Sequence, residues 1–405
     1  MSNRFNKTIN ITCLYFILAW YLVPILTSRL GTIMVVFLYI LWFASSNLTS
    51  LRRSLTRMTS FFLWYFYMLF LLFVGLYDGV APIYFFTMTL LFALPAVLYS
   101  YYTSAEDLIN ISTVKHAVVL FFLIGGLNTI YVLAAYPMAA KILAMGDSVA
   151  TLKARYEAMG CGGYNYVYSF ALLLLPMLLS IRNEARIWKF FTATTMVINV
   201  IVLLMSQYII AVILVLLSFI IYLVTKLFSG SKTGFLLGVI LLILLGFGVV
   251  FLPQIFLWLA KVTTASEGMS QRFTEMAAYM MTGDAGYNLG GRLDRYSWSW
   301  NIFLQHPLLG AQYFGGGTYG QHSSILDQLA RYGLVGTIGY VAFIIRRYRY
   351  QVIGNNKRVI LTSVLVFSIF SFLNPTIYIF QVGMILLCVI PFISNQGKRD
   401  FAEGE

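Results

Sequence analysis

Six side chains in this 405-residue chain could act together on an anion: Arg155, Arg272, Arg292, Arg295, His322 and Asp327. An arginine guanidinium is planar, stays charged and donates two parallel hydrogen bonds to a pair of anionic oxygens, so a group of them suits a phosphate or pyrophosphate. His322 supplies what arginine cannot: an imidazole that is neutral near pH 7 and can take a proton from a hydroxyl. Asp327 stands four residues before Arg331, a spacing that places both on one helix face and lets them neutralise each other. Any single arginine could instead hold a lipid headgroup or pair with Glu157, Glu267, Glu275, Asp284 or Asp294; the set as a whole favours anion binding. The other histidines offer less, since His116 opens an apolar stretch and His306 precedes Pro307 in a turn.

The elements that must position these groups are helices in a bilayer. Hydrophobic residues make up 60% of the chain and charged residues only 10%, with a mean hydropathy of +0.82. Soluble domains carry about 25% charged residues, so this chain lacks the polar surface to cover a core in water. Its apolar stretches are continuous runs of Leu, Ile, Val and Phe rather than alternating residues, which selects helices over a transmembrane β-barrel. A span needs roughly 20 apolar residues. Twelve segments qualify: 10–27, 30–47, 60–77, 82–101, 115–135, 164–181, 188–206, 207–225, 234–258, 323–345, 358–374 and 375–394. The expected fold is all-α, a single polytopic transmembrane domain over 1–405 with about twelve helices and a large, partly helical outer loop late in the chain.

The net charge of +13 does not signal nucleic acid, because Lys and Arg sit between apolar runs as topology determinants do. With both termini cytoplasmic, eighteen of the 27 basic residues fall in inside segments and nine outside. Arg155, Arg272, Arg292 and Arg295 are on the outer side, where the positive-inside tendency disfavours them. They fall in two long outer segments, 136–163 and 259–322, and loops of such length are usually functional or disordered. The second carries Trp298, Trp300, Phe303 and Phe314, a composition that argues for order. Short helices are expected near 266–281 and 292–305, punctuated by Gly290-Gly291 and Gly315-Gly316-Gly317. Cys13, Cys161 and Cys388 lie far apart, without metal-ligand or redox spacing. The first apolar run follows Arg4 and Lys7 without a small-residue cleavage motif, and reads as a retained span.

The order of motifs over roughly 290–340 resembles bacterial O-antigen ligases and O-antigen or capsular polysaccharide polymerases (the Wzy and WaaL group). The residues are Gly291-Arg292 followed by Trp298, then His306-Pro307-Leu308-Leu309-Gly310, His322-Ser323-Ser324-Ile325-Leu326 and Tyr332-Gly333-Leu334-Val335-Gly336. The resemblance implies a metal- and cofactor-independent glycosyl transfer at the outer face of the bacterial inner membrane. The donor would be a glycan on undecaprenyl pyrophosphate, attacked at its anomeric carbon by an acceptor hydroxyl. By carry-over, Arg292 and His322 match the family's catalytic arginine and histidine. Arg155 matches the arginine of the earlier loop, and Arg295 is an addition without a counterpart. Arg155, Arg272, Arg295 and Asp327 are then expected to bind pyrophosphate or glycan. The implied partners are the lipid-linked oligosaccharide and membrane lipid, with room for a chain-length regulator protein.

A polymerase of repeat units is the first expectation. An O-antigen ligase, with lipid A-core as acceptor, is the alternative, because His322-Ser323-x-x-Leu326 fits the pattern associated with ligases. A flippase for lipid-linked oligosaccharide is the third, and the charge-poor spans weigh against it, since a sugar path needs polar lining.

Overall fold

The computed structural model describes residues 2–74, 81–104, 111–144, 149–228, 232–264, 267–284, 286–314, 320–353 and 355–395. It is 88% helical, with no strand among those residues. Inside an apolar medium every backbone group must find its partner within the protein, and a helix does this locally.

Helices α1 (Ser2–Leu22) and α2 (Pro24–Ser45) form an antiparallel pair, tied by Asn10 Nδ2 to Trp42 O at 3.3 Å and by Trp20 Nε1 to Gly31 O at 3.0 Å. Pro24 opens α2, where its missing N–H costs nothing. The sequence boundary at 27–30 is therefore displaced to Val23, the residue that proline keeps out of the helical region. Asn47 caps α3 (Leu48–Thr56) by accepting from Thr49 N and Ser50 N, and α3 meets α4 (Thr59–Val74) at 68°. The 82–101 segment is split by Pro95 into α5 (Ala81–Ala93) and α6 (Pro95–Ser104). Then come α7 (Ile111–Ala135), the short α8 (Ala139–Leu143) and α9 (Ala150–Ala158), and the apolar α10 (Tyr164–Ser180). α11 (Arg186–Met205) and α12 (Ile209–Phe228) are separated at Ser206-Gln207, where Gln207 takes a φ of 59°. The 234–258 segment is two helices, α13 (Lys232–Val250) and α14 (Leu252–Val262), parted where Pro253 opens the second.

The segment 259–322 holds α15 (Glu267–Thr282) and α16 (Gly286–Gln305). Gly290 and Gly291 are helical, not a turn: each glycine costs a helix about 1 kcal/mol, too little to stop α16. Gly315-Gly316-Gly317 lie outside the described residues. α17 (Ser324–Val352) is followed by α18 (Lys357–Leu373), a turn at Asn374-Pro375, and a last helical stretch made of α19 (Phe380–Met384), a π-helical turn at Ile385–Val389 and α20 (Ile390–Ser394).

Six helices are long and apolar enough to cross a membrane, at Pro24–Ser45, Phe86–Ser104, Ile111–Ala135, Arg186–Met205, Ile209–Phe228 and Ser324–Val352; the bent α3–α4 pair would make a seventh. Apolar side chains cover much of their outward surface: Ile33 is 86% exposed and Phe73 84%. Exposed apolar surface on this scale needs an apolar surrounding.

At 29 residues, α17 is the longest helix among the described residues. It packs on α4 through Trp64 and Phe343, stacked at 6.2 Å, and through Trp64 and Tyr340 at 5.3 Å. It is not the continuous span expected at 323–345. Gly333 has φ +63° and interrupts the helix, and the freed N–H groups of Leu334 and Val335 donate to Pro307 O and Leu308 O at 2.8 and 3.2 Å. A Cβ at Gly333 would lie 2.2 Å from Leu308 O. Gly333→Ala is therefore expected to lower stability by about 1–3 kcal/mol, from the left-handed backbone and the overlap together. The check is a lower midpoint of thermal unfolding in detergent.

Candidate functional site

The break at Gly333 leaves the first turns of α17 as a short pedestal, and the loop before it carries His322. Ser323 caps the pedestal, its Oγ accepting from Leu326 N at 3.2 Å. Asp327 sits one turn later, 1% exposed. Its carboxylate accepts three hydrogen bonds: from Ser299 Oγ at 2.7 Å and Gln321 N at 3.2 Å on one oxygen, and from Ser323 N at 3.2 Å on the other. Ser299 in turn accepts from Gly320 N at 2.9 Å. One buried carboxylate thus ties α16, the 320–323 loop and α17 together. A carboxylate with three donors and almost no exposure acts as a clasp for the loop. The i,i+4 spacing with Arg331 does not decide the geometry. Arg331 donates from Nε to Gln312 Oε1 at 3.1 Å, and its charge reaches Asp327 without displacing those three donors.

Gly320 is small for a reason. A Cβ there would meet Arg295 O at 2.2 Å and Ser299 Oγ at 2.9 Å. Gln321 adopts φ 57°, and this turn presents His322 outward, half-buried. His322 Nδ1 lies 2.8 Å from Gln321 O. A carbonyl oxygen only accepts, so Nδ1 carries the hydrogen and Nε2 keeps its lone pair for a proton. Burial lowers the pKa of His322 below its ordinary value; the Gln321 carbonyl pulls it up, and the charges of Arg295 and Arg292 push it down. The ring is therefore neutral at pH 7.

Those two arginines come from α16. Arg292, Tyr296 and Ser299 follow one another at four and three residues, along one helix face. Tyr296 feels the charge of Arg292 and donates to Leu373 O at 3.0 Å, which anchors α16 on the end of α18. Burial raises the pKa of Tyr296, so it stays a hydroxyl and keeps that donor. Arg272, on α15, is half-buried, and its charge and that of Arg292 both reach Tyr168, a buried residue of α10. The charges of Arg272 and Arg292 thus act on Tyr168 and those of Arg292 and Arg295 on His322, an electrostatic arc with Arg292 common to both ends.

Arg155 belongs to a different neighbourhood. It donates to Tyr136 Oη at 3.0 Å, with its guanidinium 5.2 Å from the centre of that ring. The ion pairs among the described residues are those of Glu184 with Lys115 and His116, at 2.7 and 3.2 Å, and none of the four arginines takes part in one. No three His, Cys, Asp or Glu side chains among the described residues come together as a metal-ligand set.

Ser299, Gly320 and Tyr296 were not singled out by sequence, although the Arg292-Tyr296-Ser299 spacing was there to be read. What it could not reveal is the partner of Ser299, 28 residues further on. No protein-family model matches this chain, and no curated protein sequence matches it either.

Proposed function

We propose that this protein polymerises undecaprenyl-pyrophosphate-linked oligosaccharide repeat units into O-antigen or capsular polysaccharide, at the outer face of a bacterial inner membrane. The topology that goes with this reading has twelve spans, both termini cytoplasmic, and the two segments 136–163 and 259–322 outside. The observation that carries it is the arc of Arg272, Arg292 and Arg295, free of acidic partners among the described residues, running up to a neutral histidine with its Nε2 open. Positive charge without counter-ions suits a leaving pyrophosphate, where preorganised donors stabilise the charge that develops. His322 takes the proton of the acceptor hydroxyl at Nε2 as oxygen attacks the anomeric carbon and the bond to lipid pyrophosphate breaks. Arg155, held on Tyr136, is assigned to the glycan or the distal part of the donor. A ligase reading stands second, carried by His322-Ser323 followed by Leu326.

The glycan profile of a deletion strain tests the proposal. Single repeat units on the acceptor are expected when a polymerase is lost. Unattached long chains would replace this reading with the ligase, and normal chains would reject both.

The rate should also report the state of His322. Because its pKa is lowered and the neutral form is the base, more than half of the elongation rate seen at pH 8 should remain at pH 6.5. It should fall to half only as pH drops through the lowered value. Half-loss at or above pH 6.5 in a reconstituted assay would remove His322 from the role.

A further inference from the structure

The other end of α17 gathers a second concentration of positive charge. Arg347 lies about 20 Å of helix beyond Gly333 and is 1% exposed. It donates from Nη1 to Ser100 Oγ at 2.9 Å, while its Nε and Nη2 are buried without a hydrogen-bond partner. Its guanidinium is 5.2 Å from the centre of the Tyr350 ring, and Arg57 lies over the same ring at 4.3 Å. Arg57 is half-buried and donates to Ser104 Oγ, and the charge of Arg53 also reaches it. Neither Arg57 nor Arg347 is ion-paired with a carboxylate among the described residues.

An aromatic face attracts cations, but it offers no in-plane oxygens to Nε and Nη2 of a guanidinium. Two guanidinium groups on one ring repel, and a buried charge with unmade donors is unfavourable unless something pairs with it. A tetrahedral anion with several acceptor oxygens meets each need: it neutralises both groups and takes the free Arg347 donors in the bidentate manner that guanidinium favours. Arg57, half-buried, is the more exposed of the two guanidinium groups.

We propose that Arg57 and Arg347 form a phosphate-binding site at this end of the bundle, separate from the arc around His322. On the topology given above it faces the cytoplasmic leaflet; the site itself rests on the geometry alone and not on that topology or on the glycosyl-transfer reading. The phosphate is either that of a lipid headgroup or a free anion.

Delipidated protein in detergent would be titrated with inorganic phosphate, with phosphatidylglycerol, and with diacylglycerol, which has the chains without the phosphate, while Tm is followed. A rise in Tm with phosphatidylglycerol but not with diacylglycerol is expected. The same rise with inorganic phosphate identifies a free-anion site, and its absence identifies the headgroup; either supports the proposal. Arg57→Gln, at a half-buried position, should raise the half-saturating concentration by about tenfold or more, as loss of a charged hydrogen-bonding partner does. Arg347→Gln should abolish the shift. The proposal is overturned if no phosphate-bearing additive moves Tm, if diacylglycerol moves it equally, or if Arg57→Gln retains the wild-type response. The readout does not involve glycan synthesis, so its failure is distinct from failure of the polymerase reading.

Discussion

His322→Ala is expected to slow chain elongation by about 10²–10⁴-fold, the contribution of a positioned general base, while membrane insertion and abundance stay at wild-type levels. The second half of that expectation comes from where the residue sits. The ring is half-buried at the tip of the 320–323 loop, and its one described hydrogen bond is to the neighbouring Gln321 carbonyl. The loop is held by the Gln321 and Ser323 backbone N–H groups on Asp327 and by Gly320 N on Ser299, none of which uses the imidazole. Removing the ring should thus take away the proton acceptor and leave the clasp. The measurement is the glycan ladder of a deletion strain complemented with the variant, beside an immunoblot of its membranes. Chains of normal length at normal abundance would sink the assignment of His322.

Arg292→Ala should reduce elongation by about 10²–10³-fold, the usual effect of losing one donor to a developing negative charge. Its charge reaches Tyr168, Tyr296 and His322, so no other arginine of the arc stands so centrally. Arg292→Lys should recover only part of the loss, because an ammonium keeps the charge but not the two-pronged donor. Arg295 is exposed and should matter less, since an exposed charge is screened by solvent and salt. Comparing Arg292→Ala, Arg292→Lys and Arg295→Ala in one reconstituted assay separates charge from fork geometry. Full activity in Arg292→Lys would mean that charge alone suffices, and full activity in Arg292→Ala would remove Arg292 from the reaction.

The helices were legible because apolar runs with almost no charge leave the backbone no other way to satisfy itself. Turns at Ser206-Gln207 and Asn374-Pro375 were legible too, from a polar pair and a proline. The breaks at Gly333 and at Gly31, where φ of +65° interrupts α2, were not. A glycine within an apolar run reads as helix, and the demand for a left-handed residue at 333 comes from the close approach of Leu308 O, which is a tertiary fact. The cationic residues of the site could be named from sequence because the topology expected from the charge bias leaves these arginines on the side where arginine is rare. Its support could not. Asp327 looked like half of an ion pair with Arg331, since spacing sees only the same helix. In the folded chain Ser299 and two backbone N–H groups occupy its oxygens, and serines are too common for one of them to announce that role.

The interrupted α17 also bears on the order in which the protein can be assembled during synthesis. The segment from Ser324 to Tyr332 contains Asp327, Gln328 and Arg331, and charged residues at the centre of a helix oppose its entry into lipid by about 2.5–3.5 kcal/mol each. It is a poor candidate for independent insertion. Every group that shelters it, however, either precedes it in the chain or comes close behind. Ser299, Gln312, Pro307 and Leu308 have left the ribosome before Gly333, and Asn374, which accepts from Ser324 N at 3.0 Å, comes with the next helix. Asp327 and Arg331 thus meet Ser299 and Gln312 as soon as they are made, while Ser323 and Ser324 wait for Ser371, Asn374 and Thr376, so the pedestal is completed in two stages, first with α16 and then with the end of α18.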